Sequence, residues 1–171
     1  GLDFCYASAN TVTAGNISGN LYNCVGTSDC FCSGGASGTG GVISGNLYNC
    51  EATTRGFSSA AGTAGSITGL LDNVKMPQGA TCLMKATITG ILMNSRIDGT
   101  GNGLGYAITV ATGARIRNCD LKATTDAIGA AGAATSSARN NAFYGVGVHA
   151  NVTLVETTIA GGFNTDVADT F

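Results

Sequence analysis

Ile17-Ser-Gly-Asn-Leu-Tyr-Asn-Cys24 recurs without a change as Ile43-Ser-Gly-Asn-Leu-Tyr-Asn-Cys50, and this repetition decides the fold. Looser copies follow at Ile67-Thr-Gly-Leu-Leu-Asp-Asn-Val74 and Ile88-Thr-Gly-Ile-Leu-Met-Asn-Ser95. Thr112-Gly-Ala-Arg-Ile-Arg-Asn-Cys119 keeps the later half. The seventh position is therefore Asn23, Asn49, Asn73, Asn94 and Asn118, at spacings of 26, 24, 21 and 24, and Asn140 follows 22 residues on. Glu156, only 16 residues further, falls outside the rhythm. Self-similarity at a period of this size marks a chain wound into stacked, equivalent units.

The columns of this repeat read as strands. Two residues before each Asn stand Leu21, Leu47, Leu71, Leu92 and Ile116; six before stand Ile17, Ile43, Ile67 and Ile88. The position between is small: Gly19, Gly45, Gly69, Gly90 and Ala114. Apolar or small residues at every second position line one face of a strand turned inward. Three residues after the Asn an inward face resumes with Ala52, Met76, Ile97, Leu121 and Phe143. The Asn thus sits at a bend, where its tolerance of the left-handed region is useful. Its amide can bond to the equivalent amide one coil away, giving a ladder along the stack. Two residues after the Asn the charges run Glu51, Lys75, Arg96, Asp120, so stacking would set Glu51 against Lys75 and Arg96 against Asp120. Segments between the repeats, such as 104–111, are rich in β-branched residues and show no 3.6-residue apolar stripe, which argues against leucine-rich repeats with helices.

The Ile-x-Gly-x-Leu-x-Asn-Cys coil with its asparagine column resembles the right-handed parallel β-helix of the pectin-lyase-like proteins, a group of polysaccharide lyases, polygalacturonases and phage tail spikes. The resemblance covers roughly residues 12 to 160 as a repeat pattern. It implies an all-β fold, a right-handed single-stranded parallel β-helix of about six to seven coils with an Asn ladder through Asn23, Asn49, Asn73, Asn94, Asn118 and Asn140. It divides the chain into an N-terminal capping or docking segment (1–11), the helix (12–161) and a C-terminal capping or docking segment (162–171).

Composition narrows the function. Of 171 residues 27 are Gly, 1 is Pro and none is Trp, and charged residues make up only 11%; an ordinary soluble domain carries roughly 25%. A surface built of Ser, Thr, Asn, Gly and Ala suits contact with copies of itself or with another assembly. A net charge of -2 gives no footprint for nucleic acid or for an anionic membrane. Seven Cys, an odd number without the spacing of a compact disulfide framework, read as small buried thiols in a protein assembled in a reducing compartment. Cys24 and Cys50 share a column within disulfide reach, with the reduced pair as the expectation.

No constellation looks like an active site. The polygalacturonase pattern of Asn-Thr-Asp, Asp-Asp, Gly-His-Gly and Arg-Ile-Lys is absent: Asn164-Thr-Asp166 lies near the C-terminus, the single His149 sits in Gly-Val-His-Ala, and Arg115-Ile-Arg117 precedes both. Glycoside hydrolysis needs two carboxylates across one cleft. Asp98 and Asp120 fall on neighbouring coils, but four and two residues after their Asn, with Arg96 and Lys122 close by, which suits a surface ion-pair patch. Cys30-Phe-Cys32 has the wrong spacing for structural zinc, and Gly99 to Gly105 lacks the strand-to-helix setting of a nucleotide loop. No catalytic, metal or cofactor residue is therefore expected.

The expectation is a non-enzymatic structural component of a phage or virus particle: a capsid decoration knob or a tail spike or fibre module. Its partners would be itself, as a homotrimer, and neighbouring capsid or tail proteins, in a virion assembled in the host cytoplasm. The alternatives are a polysaccharide-degrading spike enzyme and a module that binds cell-surface glycan.

Overall fold

A computed structural model describes residues 2–3, 6–7, 15–27, 31–32, 38–53, 56–57, 63, 65–77, 86–100, 105–130, 132–144, 151–155 and 165–167. Among them there is no helix, and every strand pairing is parallel. The strands form three sheets. Sheet A stacks Leu2–Asp3, Leu21–Tyr22, Leu47–Tyr48, Leu70–Asp72, Ile91–Met93, Arg115–Arg117, Ala134–Arg139 and Val152–Val155. Sheet B stacks Tyr6–Ala7, Val25–Gly26, Glu51–Ala52, Lys75–Met76, Arg96–Asp98, Asp120–Lys122, Ala142–Tyr144 and Thr165–Val167. Sheet C has five strands, Val42–Ile43, Ser66–Ile67, Thr87–Ile88, Tyr106–Val110 and Asp126–Gly129. The chain visits C, then A, then B, and returns, so the fold is a parallel β-solenoid. Where all three sheets run, from Val42 to Gly129, it makes about four turns, the steps between the five strands of sheet C. Segments 1–11 and 162–171, set apart in the sequence, supply Leu2–Asp3 and Tyr6–Ala7 at one end and Thr165–Val167 at the other, all in parallel register with their neighbours.

The register follows the repeat. Leu21, Leu47, Leu71, Leu92 and Ile116 lie opposite one another through sheet A, and from Leu47 onward all are fully buried. Ile43, Ile67 and Ile88 make the same inward column in sheet C, and Ile17 and Leu21 pack on its open end. Ala52, Met76, Ile97, Leu121 and Phe143 close the core from sheet B. Each fully buried Leu or Ile contributes roughly 1.5–3 kcal/mol, so the three columns together supply the main favourable term. Toward the C-terminal end the core fills with smaller groups, Ala127, Ala130, Ala134 and Ala138.

The bend between sheets A and B has one construction throughout. Asn23, Asn49, Asn73, Asn94, Asn118 and Asn140 all have φ between 51° and 55°, the left-handed region. The following residue points into the corner: Cys24, Cys50, Val74, Ser95, Cys119 and Asn141 are all buried. Small size is only part of what this column needs, because most of these side chains also bond to the backbone of the bend. Cys50 Sγ donates to the Tyr48 carbonyl (3.4 Å), Ser95 Oγ to Met93 (2.6 Å) and Cys119 Sγ to Arg117 (3.1 Å). Asn141, completely buried, donates to the Ile116 carbonyl (3.1 Å) and accepts from the Cys119 N–H (2.9 Å).

Between sheets C and A the turns come very close. A Cβ added at Gly45, Gly69 or Gly90 would overlap the carbonyl oxygen of the glycine one turn before, Gly19, Gly45 and Gly69 respectively. At Gly19 it would meet nothing within 4 Å among the described residues. Ala114 occupies the same column, and the chain enters it through Gly113 at φ 98°.

Candidate functional site

Two outward surfaces carry the chemistry of this chain. The first runs along sheet B. Register sets Lys75 between Glu51 and Arg96, Arg96 beside Asp120, and Asp98 beside Lys122. Asp98 and Asp120 therefore belong to different columns, each facing a cation of its neighbour strand rather than the other acid. The Lys122–Asp98 ion pair is long at 3.9 Å and partly exposed, a geometry worth well under about 1 kcal/mol. Two shallow cavities lie over this face. One, of about 280 Å³, is lined by Arg96, Ile97, Asp98, Asp120, Lys122 and Tyr144. The other, of about 320 Å³, shares Arg96 and Asp98 and adds Glu51, Lys75, Met76 and Pro77. Matched charges in a shallow trough can hold a polar ligand.

The asparagines form hydrogen bonds between turns along the edge that separates this face from sheet A. Asn49 Nδ2 donates to Asn23 Oδ1 (3.1 Å), Asn73 to Asn49 (2.8 Å) and Asn118 to Asn94 (3.1 Å). Asn94 instead donates to the Asp72 carboxylate (2.8 Å), one residue off the column.

The second surface is the outer face of sheet A, which the repeat analysis did not single out. Inward columns of Leu leave the residues on either side pointing outward. One row reads Tyr22, Tyr48, Asp72, Met93, Arg117, Arg139, and the other Asn20, Asn46, Leu70, Ile91, Arg115, Ser137. Tyr22 and Tyr48 stack with centroids 5.0 Å apart and planes 7° apart, and Asn20 Nδ2 donates to the Tyr22 hydroxyl (3.2 Å). Tyr22 is 36% exposed. Leu70, Ile91 and Met93 are partly buried in the middle, and Arg115, Arg117 and Arg139 are exposed at the far end. Arg117 and Arg139 are register neighbours. Like charges so placed are destabilising by a few tenths of a kcal/mol.

The cysteines divide in two ways. Cys24 is disulfide-bonded, whereas Cys50, its neighbour in the column, is a free thiol. This corrects the reading of a reduced Cys24–Cys50 stack: the two share a column without being bonded, and Cys24 is oxidised to another partner. Burial pushes the Cys119 thiol up to about 12 and the Cys32 thiol up to about 11, and raises that of Cys50. Such thiols are poor nucleophiles and poor metal ligands at neutral pH. Among the described residues no three His, Cys, Asp or Glu side chains converge as a metal site needs.

Several residues weighed from the sequence, His149, Cys30, Glu156, Asn164 and the loop 101–104, lie outside the described residues. Asp166 stands in the strand Thr165–Val167 opposite Phe143. The row of aromatic, apolar and basic residues on sheet A was readable in principle, from the positions flanking each inward Leu. Comparison with protein families, with curated proteins and with solved structures returns no match to this chain.

Proposed function

We propose that this chain is a non-enzymatic structural component of a phage or virus particle, which works by associating with copies of itself and docking on capsid or tail proteins. The observation that carries the reading is the outer face of sheet A, where Tyr22, Tyr48, Leu70, Ile91 and Met93 form a partly exposed aromatic and apolar band on a surface otherwise poor in charge. Contiguous apolar bands of this kind mark interaction surfaces. The solenoid belongs, in this reading, with the right-handed pectin-lyase-like helices. Right-handed parallel crossovers are the rule in about 98% of cases. Its turns continue past the three-sheet stretch to six or seven coils, supported by the eight strands of sheets A and B. The bonds of Asn49 to Asn23, Asn73 to Asn49 and Asn118 to Asn94 support an asparagine ladder, with Asp72 as the acceptor where Asn94 leaves the column. A disulfide at Cys24 fits a particle that is assembled in the cytoplasm and then released into an oxidising medium.

Sedimentation of the purified chain, over a range of concentrations and at low and physiological salt, tests the reading. Association into a small multiple of 16.9 kDa supports it; a monomer at every concentration overturns it. The sequence leads to three copies, and the pattern on sheet A, argued below, favours two.

A second reading rests on the trough over sheet B, whose carboxylates Asp98 and Asp120 and the ring of Tyr144 suit a glycan. Saturable binding of an oligosaccharide without turnover would favour a glycan-binding module. Cleavage lost in both Asp98→Ala and Asp120→Ala would favour an enzyme.

A further inference from the structure

The outer face of sheet A is ordered from end to end. Reading along the solenoid, one row runs aromatic, aromatic, acid, thioether, base, base, and the other runs amide, amide, aliphatic, aliphatic, base, hydroxyl. Reversing the direction and laying the row against itself sets Tyr22 at the height of Arg139 and Tyr48 at that of Arg117. It sets Leu70 at the height of Ile91 and Asn46 at that of Arg115. Asp72 falls beside Met93, one strand from Arg117. Every basic residue meets an aromatic ring or an amide, and the aliphatic residues meet at the centre. A parallel arrangement does the opposite, bringing Arg117 to Arg117 and Arg139 to Arg139.

Resting on the self-association proposed above, the geometry points to a second copy of this chain packed antiparallel on the outer face of sheet A, about a two-fold axis that runs along the strand direction between the rungs of Asp72 and Met93.

Three physical points support that occupant. A two-fold interface is isologous, so each favourable pair occurs twice. Arg over an aromatic face is an attractive pair. The ring face of Tyr48 turned away from Tyr22 adjoins Asp72 in register, so a guanidinium there finds a π-face and a carboxylate together. Third, the parallel packing would set Arg117 at the height of Arg117 and Arg139 at that of Arg139, and like charges so placed oppose one another. The face is limited in size. Six strands at about 4.8 Å, two to three residues wide, offer about 200–300 Å² per copy, below the roughly 800 Å² of a standard stable interface. The pair is therefore expected to be concentration-dependent, with a dissociation constant in the micromolar range or weaker.

The test uses the full chain. Facing sheets stand about 10 Å apart, too far for a direct disulfide, so a short bis-maleimide is the probe. Tyr48→Cys and Arg117→Cys are made singly and together, with the wild-type chain as the baseline for native thiols. Expected are covalent dimers linking positions 48 and 117 in the double variant and in an equal mixture of the single variants, and no dimer above baseline from either single variant alone. Links from 48 to 48 or from 117 to 117 would overturn the antiparallel arrangement. Absence of any link in a chain that sediments as an oligomer would overturn the surface while leaving self-association standing. A chain that sediments as a monomer throughout would overturn both. As an independent check, Arg117→Glu is expected to weaken association at least about 10-fold with an unchanged far-UV circular dichroism spectrum; unchanged association would overturn the pairing.

Discussion

Replacing Gly69 by Ala puts a methyl carbon onto the carbonyl oxygen of Gly45 in the turn before, with the Gly45 carbonyl carbon and the Ser44 oxygen each 2.9 Å away. All of these are backbone atoms, so no side chain can swing aside. Relief requires the two turns to part locally by about 1 Å, given ordinary carbon contact distances. Two hydrogen bonds cross that gap to one acceptor: Thr68 N–H to Ile43 O at 2.9 Å and Gly69 N–H to the same oxygen at 3.2 Å. An added ångström takes both beyond hydrogen-bonding range. Losing them costs about 1 kcal/mol each and leaves a buried carbonyl short of a partner, and the overpacking adds about 1–3 kcal/mol. Against this, Ala stiffens the unfolded chain, a gain of about 0.4–1 kcal/mol. The net expectation is destabilisation by about 3 kcal/mol, or a melting point lower by about 6–12 °C for a domain of this size. Gly19→Ala is the internal control. Gly19 holds the same place in the repeat, lies outside the left-handed region, and its added methyl would meet nothing within 4 Å among the described residues. It should be neutral or stabilising by up to about 1 kcal/mol. Urea unfolding followed by circular dichroism, with thermal melts alongside, measures both. If Gly69→Ala matches wild type within about 0.5 kcal/mol, or Gly19→Ala is equally damaging, the close approach of the turns is not what glycine serves here.

Asn73→Ala should cost about 2–3 kcal/mol, since it loses the 2.8 Å bond to Asn49 and forces Ala to φ 52°, whereas Asn73→Gly should cost only about 1 kcal/mol; equal losses in urea unfolding would remove backbone strain from the account. In the core, Asn141→Ala strands the Cys119 N–H and the Ile116 carbonyl and should cost about 2–4 kcal/mol. By contrast Ser136→Ala, which removes a buried hydroxyl with no partner among the described residues, should be neutral or slightly stabilising in the same assay. The thiols give a pH dependence. Cys119 rises to about 12 in the folded chain from an ordinary 9, so above pH 9 the unfolded state releases a proton that the folded state keeps. Stability should be unaffected by this thiol below pH 9 and fall between pH 9 and 12, and Cys119→Ala should flatten that fall; an unchanged slope would show that the buried thiol is not its source.

The repeat was legible because its constraints are local and recur. A strand alternates with period two, so Leu47, Leu71 and Leu92 declare an inward face without any knowledge of their neighbours. A left-handed bend admits few residues, so Asn at six equivalent positions declares the corner. The pairing of Glu51 with Lys75 and of Arg96 with Asp120 followed from the same spacing. What the spacing could not supply was anything that depends on distance between turns. The small column at Gly45, Gly69 and Gly90 read as an inward position, and only the stack shows a carbonyl oxygen where a Cβ would stand. Cys50, Ser95, Cys119 and Asn141 each follow a corner asparagine, and only the folded bend shows the backbone groups to which their polar atoms bond.

The sequence by itself determined a parallel coil, its corners and its inward columns, because these follow from the period of a strand and from which residues accept a left-handed φ. Tertiary structure alone decided which thiol is bonded and which is free, since that turns on three-dimensional proximity and not on sharing a column. It alone also arranged Tyr22, Tyr48, Asp72, Met93, Arg117 and Arg139 as one ordered row. Residues up to 117 positions apart in the chain (139 less 22) become a continuous surface only when the turns are laid on one another in register.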